Sequence, residues 1–213
     1  MPAGAGSKRV VIVSLAIATS IAFACSSDST RPVTPSGPDF SAPLPIEAGQ
    51  VIGAPTYAAG DSSAGGQGAP VDGIACDTTT PVQHIHAHLT LIANGQQRAI
   101  PIAIGVGTPI IIQDFVIAAG CYYWLHTHDG TGIVHIEAPV TTTFNLGQFF
   151  AIWGQPLSSS NVAGFTGTVT AYVDSTQYTG DLGAIDFQEH RQITLIVGAV
   201  PDTLPVYAFP ADY

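Results

Sequence analysis

Positive charge is almost missing from this chain. Its only Lys and Arg are Lys8, Arg9, Arg31, Arg98 and Arg191, against 15 Asp and Glu, which gives a formal net charge of −10 over 213 residues. A surface that acidic repels a phosphate backbone and argues against nucleic acid as a partner. Methionine stops at Met1, so a blue-copper site would have to take its weak axial ligand from Gln or a backbone oxygen. Long apolar runs are equally scarce. The one long apolar run, the charge-free Val10 to Ala24, falls short of the roughly 20 residues that span a bilayer. Gly-x-Ser-x-Gly, the phosphate loop, the dinucleotide fingerprint and His-Glu-x-x-His are all missing, which removes the commonest hydrolase, nucleotide-binding and zincin readings.

What is present begins with export. Lys8-Arg9 ahead of the apolar run, and Ala22-Phe23-Ala24 ahead of Cys25, read as a signal peptide over 1–24. Two processing routes fit: ordinary small-x-small cleavage, and a lipobox in which Ala22 replaces the usual Leu. The polar stretch after Cys25 favours the second. The expectation is a lipoprotein anchored through Cys25 in a bacterial cell envelope, periplasmic or on the outer surface.

Residues 25–72 are dominated by Ser, Pro, Gly, Ala, Asp and Thr and read as a flexible tether, since few large apolar groups offset the entropy of ordering. Phe40, Leu44, Ile46, Val51 and Ile52 could instead dock as an edge strand. Residues 73–213 suffice for one domain with its own core. Short runs rich in Ile, Val, Thr, Tyr and Phe, punctuated by Gly, Pro, Asn and Asp, predict strands at 89–93, 96–104, 108–117, 121–128, 131–138, 167–174 and 192–199. Asn94-Gly95 marks a two-residue hairpin. A short helix is expected over Leu146–Trp153, where Phe149 and Trp153 share a face. The pattern is all-β: an antiparallel β-sandwich, cupredoxin-like or immunoglobulin-like in broad form, with at most one short helix.

The seven histidines all lie between His84 and His190, and they outnumber the Arg left after signal removal. His84, His86 and His88 alternate along a strand, which puts three imidazoles on one face and Ile85, Ala87, Leu89 and Leu91 on the other. Asp129-Gly130 reads as a type I′ hairpin. An even loop there would put His126 and His128 on the face that carries His135 and Glu137; a three-residue loop with a bulge would not. His190, beside Arg191, is either an added ligand or an ordinary surface residue. Cys76 and Cys121 precede the two His-bearing segments, and an oxidising compartment favours a disulfide between them. The rival is Cys121 as a thiolate ligand. Neutral imidazole is the ligand form, so affinity is expected to fall below about pH 6.5.

The string His84-x-His86-x-His88-Leu89, then Leu125-His126-Thr127-His128-Asp129-x-x-Gly132-x-x-His135-Ile136-Glu137, then Leu146-Gly147-x-Phe149-Phe150-x-x-Trp153-Gly154, resembles a family of exported microbial proteins without an assigned activity. The resemblance implies that these motifs travel together in exported chains, and it names no particular metal. Gly120 followed by His126-Thr127-His128 also resembles the start of a cupin metal motif, but the Glu expected three or four residues on is replaced by Glu137, nine positions away. Imidazole-rich sets suit transition metals, with copper or zinc fitting this compartment best. Three functions follow: envelope metal sequestration, delivery or sensing; a metalloenzyme with Glu137 as general base; or a structural or adhesive module whose histidines are surface decoration.

Overall fold

The organising element is an eleven-residue strand, Gln83–Ala93. In the computed structural model, which describes residues 1–4, 6, 37–60 and 66–213, it lies at the centre of the largest sheet. Ile133–Ala138 pairs antiparallel along its first half, with Leu125–His126 beyond. Gln192–Val197 pairs parallel along its second half, followed by Val169–Val173 and Thr176–Tyr178. Apart from that parallel join the sheet is antiparallel. The fold is all-β and sandwich-like, with one α-helix and, among the described residues, a single 3₁₀ turn at Leu182–Ala184 as the only other helical element. The apolar run at 10–24 and the lipidation candidate Cys25 lie outside the described residues.

Alternation divides the sheet into two chemically distinct faces. One carries Ala87, Leu89, Leu91, Val134, Ile136, Leu125, Ile193 and Leu195, all buried in the main core. It is covered by the helix Leu146–Trp153, whose Leu146, Phe149, Phe150, Ile152 and Trp153 are buried. Asn145 and Gln148 form a reciprocal capping box at its start, and Gly154 ends it in the left-handed conformation; each supplies partners for backbone groups that a helix end leaves unpaired. The other face carries the histidines at one end and Ile92, Ile196 and Tyr172 at the other.

The cover of this second face revises the extent of the tether. Asp39–Phe40 pairs with Thr203–Leu204, and Leu44–Pro45 with Tyr207–Ala208, both parallel. Ile46 is buried against Ile133 and Tyr207. The compact unit therefore begins at Gly37 instead of residue 73, and the edge-strand alternative describes residues 39–46. Its physical reason is the pair Phe40 and Ile46, which find an uncovered sheet face to pack against.

The hairpin at Asn94-Gly95 forms with both residues at positive φ, 54° and 73°, as a type I′ turn requires. Other strands are shorter than the sequence suggests. The 96–104 segment is paired only over Gln96–Arg98, and 108–117 is broken by a turn at Gln113 and Asp114, both at positive φ. That turn makes a small separate hairpin of Ile110–Ile112 and Phe115–Ala118. Cys76 and Cys121 are joined by a disulfide with Cα atoms 5.3 Å apart, so Cys121 is not a thiolate ligand. The bridge ties the strand Cys76–Asp77 to Cys121–Tyr123, which leads directly into the strand of His126.

Candidate metal centre

Register brings the second-face histidines together. His86 lies opposite His135, and His135 opposite His126, so three imidazoles form a row across three adjacent strands. His84 lies opposite Glu137 in the next row. His128 follows His126 by two positions, just past the end of its strand.

The turn that makes this possible is not the expected one. Neither Asp129 nor Gly130 has positive φ, so no type I′ hairpin forms there. Instead six residues, 127–132, connect the strands, and the buried Asp129 carboxylate organises them by accepting from Thr131 N (3.1 Å), from the Thr131 hydroxyl and from Gly49 N (2.9 Å). Six is still an even number, so His126 and His135 keep the same face. Gly132 closes the turn at φ 91°, where a Cβ would lie 2.5 Å from Leu89 O. Only glycine permits so close an approach at that conformation.

The ligand-type atoms fall into two groups, each with all members within 4.8 Å: His126, His128, His135 and Glu137; and His84, His86 and His135. His126 Nδ1 is 2.8 Å from Tyr123 O, and His128 Nδ1 is 2.9 Å from Val116 O. A carbonyl only accepts, so in both rings Nδ1 donates and Nε2 is left with a lone pair in the neutral ring. These two Nε2 atoms face each other at 3.1 Å. Two nitrogens on one zinc ion stand about 2.9 to 3.4 Å apart for angles between a right angle and the tetrahedral value, given Zn–N near 2.0–2.1 Å. Glu137 Oε1 completes the group at 3.5 Å from His135 Nδ1 and 3.9 Å from His126 Nε2. Buried His135 Nδ1 has no hydrogen-bond partner, a cost that an ion would remove.

Burial sets the protonation state. The His126 imidazole is held well below its ordinary pKa first by burial, then by His135 and His128, and His135 is lowered in the same way by burial, His128 and His86. His86 is lowered to about 4 by burial and by His84. These rings are neutral at neutral pH, the form that binds a metal. Protons therefore compete for these three rings only in more acidic solution than the ordinary imidazole range near 6.5.

His88 and His190 do not join either group. His88 Nε2 is 2.9 Å from Thr131 O, Nδ1 is 3.3 Å from Thr90 Oγ1, and the ring stacks on Tyr207 at 4.4 Å. Alternation places it on the correct face, but Ile133 occupies the position opposite it. His190 stacks on Phe209, and its Nε2 lies 2.9 Å from both Glu189 Oε1 and Tyr213 O. It acts on the strand instead, where its N–H donates to His86 O at 2.7 Å.

Several groups of the site are not legible from spacing. The carbonyls of Tyr123 and Val116 aim the two imidazoles, the role that outer hydrogen bonds play around metal ligands. Tyr122 stacks over His128 at 5.6 Å and lies 4.9 Å from His126; Tyr213 covers His86 at 4.6 Å and His135 at 5.4 Å. Burial raises Tyr213 to about 12, with Asp129 adding to it, so its phenol stays protonated. Fixed donors, neutral rings and apolar walls together could hold a metal ion. No protein-family model matches the chain, nor does any curated protein or solved structure.

Proposed function

We propose that this chain is a cell-envelope lipoprotein that binds a transition-metal ion, copper or zinc, through His126, His128, His135 and Glu137, for sequestration, delivery or sensing. The observation that carries the reading is the pair of Nε2 atoms facing each other at 3.1 Å while both Nδ1 atoms are committed to carbonyls. Two ring lone pairs held that way repel unless a cation lies between them, and burial disfavours a proton on His126 as that cation. An ion would convert the repulsion into two bonds. The all-nitrogen and oxygen donor set suits both zinc and cupric copper.

Burial of His126 and His135 speaks against surface decoration, where solvated imidazoles would be expected. Glu137 sits among the nitrogens at ligand distances, which fits coordination better than general-base work. One observation keeps the enzyme reading in view: an open cavity of about 140 Å³ lined by Asp77, Thr78, Thr79, Tyr122, Trp124 and Glu137 reaches the carboxylate. The envelope assignment rests on the export signal with its lipobox-like Ala24-Cys25, and the Cys76–Cys121 bridge suits an oxidising compartment.

Calorimetric titration of Zn(II) and Cu(II) into the chelator-stripped protein tests this. Submicromolar binding is expected in the wild type, with a loss of at least a hundredfold in His126→Ala. Binding no tighter than millimolar, or unchanged in that variant, would refute it.

A further inference from the structure

The second group is too well formed to be a fringe of the first. His84 Nε2 and His86 Nε2 face each other at 3.1 Å, the same separation as the His126–His128 pair. Each pair comes from a His-x-His segment on a different strand. Between them stand the two residues that the pairs share. His135 belongs to both groups. Glu137 Oε1 lies 3.2 Å from His84 Nε2 on one side and 3.9 Å from His126 Nε2 on the other.

One ion does not serve all six side chains. An octahedral ion with ligand distances near 2.1 Å spans about 4.2 Å between opposite donors. The donor atoms separate into two groups, each within 4.8 Å, and no single group contains all six residues among those described. The second group is also the more open one, because the His84 side chain is 52 % exposed while that of His126 is fully buried.

We propose, resting on the metal-binding reading above, that the site is a two-ion centre. His126, His128 and His135 hold one ion and His84 and His86 the other, with the Glu137 carboxylate bridging them. Carboxylate-bridged ions of this kind lie about 3.5–4 Å apart. The inner ion is enclosed, whereas the outer one faces solvent through His84 and is the one that exchanges with ions or ligands outside.

Native mass spectrometry of the full mature chain, loaded with Zn(II) and desalted, tests the stoichiometry. Two ions per chain are expected in the wild type and one in His84→Gln, a substitution at a half-exposed position that leaves folding intact. Cu(II) loading gives an independent reading in the wild type alone: two bridged cupric ions couple, so the integrated paramagnetic signal should fall well below two spins per two coppers. A single tightly bound ion in the wild type, two ions retained in His84→Gln, or two uncoupled coppers would each overturn the two-ion centre while leaving metal binding standing. No bound ion at all would remove both.

Discussion

His88 and His126 are both buried imidazoles with a nitrogen bonded to a backbone carbonyl, yet their roles differ. In His126 the carbonyl takes Nδ1 and leaves Nε2 facing other nitrogens; in His88 both ring nitrogens already have partners in Thr131 and Thr90. His88→Ala should therefore cost about 2–4 kcal/mol of stability through lost packing and an unpaired Thr131 carbonyl, while Zn(II) affinity stays within about threefold. His126→Ala should show the reverse weighting. Thermal melts and titrations on the two variants would check this. The pH dependence of the metal-free protein follows from the same burial. The His88 pKa is lowered from 6.5 to about 4 in the folded state, so the unfolded chain binds more protons between those values. Stability is fully present above about pH 6.5 and is lost as the pH falls toward 4, by about 3 kcal/mol for His88 alone. Denaturant melts at pH 7.5, 5.5 and 4.5 with chelator present should show it; a flat profile would contradict it.

Elements explain what was readable and what was not. Strict alternation through His84–His88 places the imidazoles on one face, and parity carries His126, His135 and Glu137 to the same side even though the turn between them is not a type I′ hairpin. That turn escaped because its geometry depends on a long-range bond from Gly49 N to Asp129, which no local signal carries. The disulfide and the helix were legible because compartment chemistry and the Phe149–Trp153 spacing are local facts. His88 was assigned to the site because periodicity fixes a face, while the identity of the cross-strand neighbour, Ile133, decides what the face does at that point. The bridge closes a sequence separation of 45 residues, for which loop entropy gives about 4 kcal/mol. Reduction should lower the denaturant midpoint by a corresponding amount, and should also weaken metal binding, since the bridge holds the strand that leads into His126. Asn145→Ala removes only the cap and should cost about 1 kcal/mol with no change in metal affinity.

At the scale of the whole molecule, the centre lies between a rigid core and a thin cover. One sheet face is packed on the helix and fixes the strand register; the other is overlaid by residues 39–46 and 203–208, which bury Ile92, Ile133 and Tyr172 beside the site, while Tyr122 and Tyr213 cover its rings. Tyr213→Ala, which uncovers His86 and His135, should leave the main core folded and raise metal dissociation rates severalfold, measured by chelator competition. The proposed anchor belongs to the same scale: intact mass of the membrane fraction should show a diacyl or triacyl addition at Cys25, and a soluble species starting at Cys25 without lipid mass would retire it. At the centre, the ion is held by imidazole nitrogen and carboxylate oxygen alone. X-ray absorption at the zinc edge of the loaded protein tests that most directly. It predicts a first shell of nitrogen and oxygen near 2.0–2.1 Å with the outer-shell scattering of at least three imidazoles. A sulfur shell near 2.3 Å, or a spectrum without imidazole scattering, would contradict it.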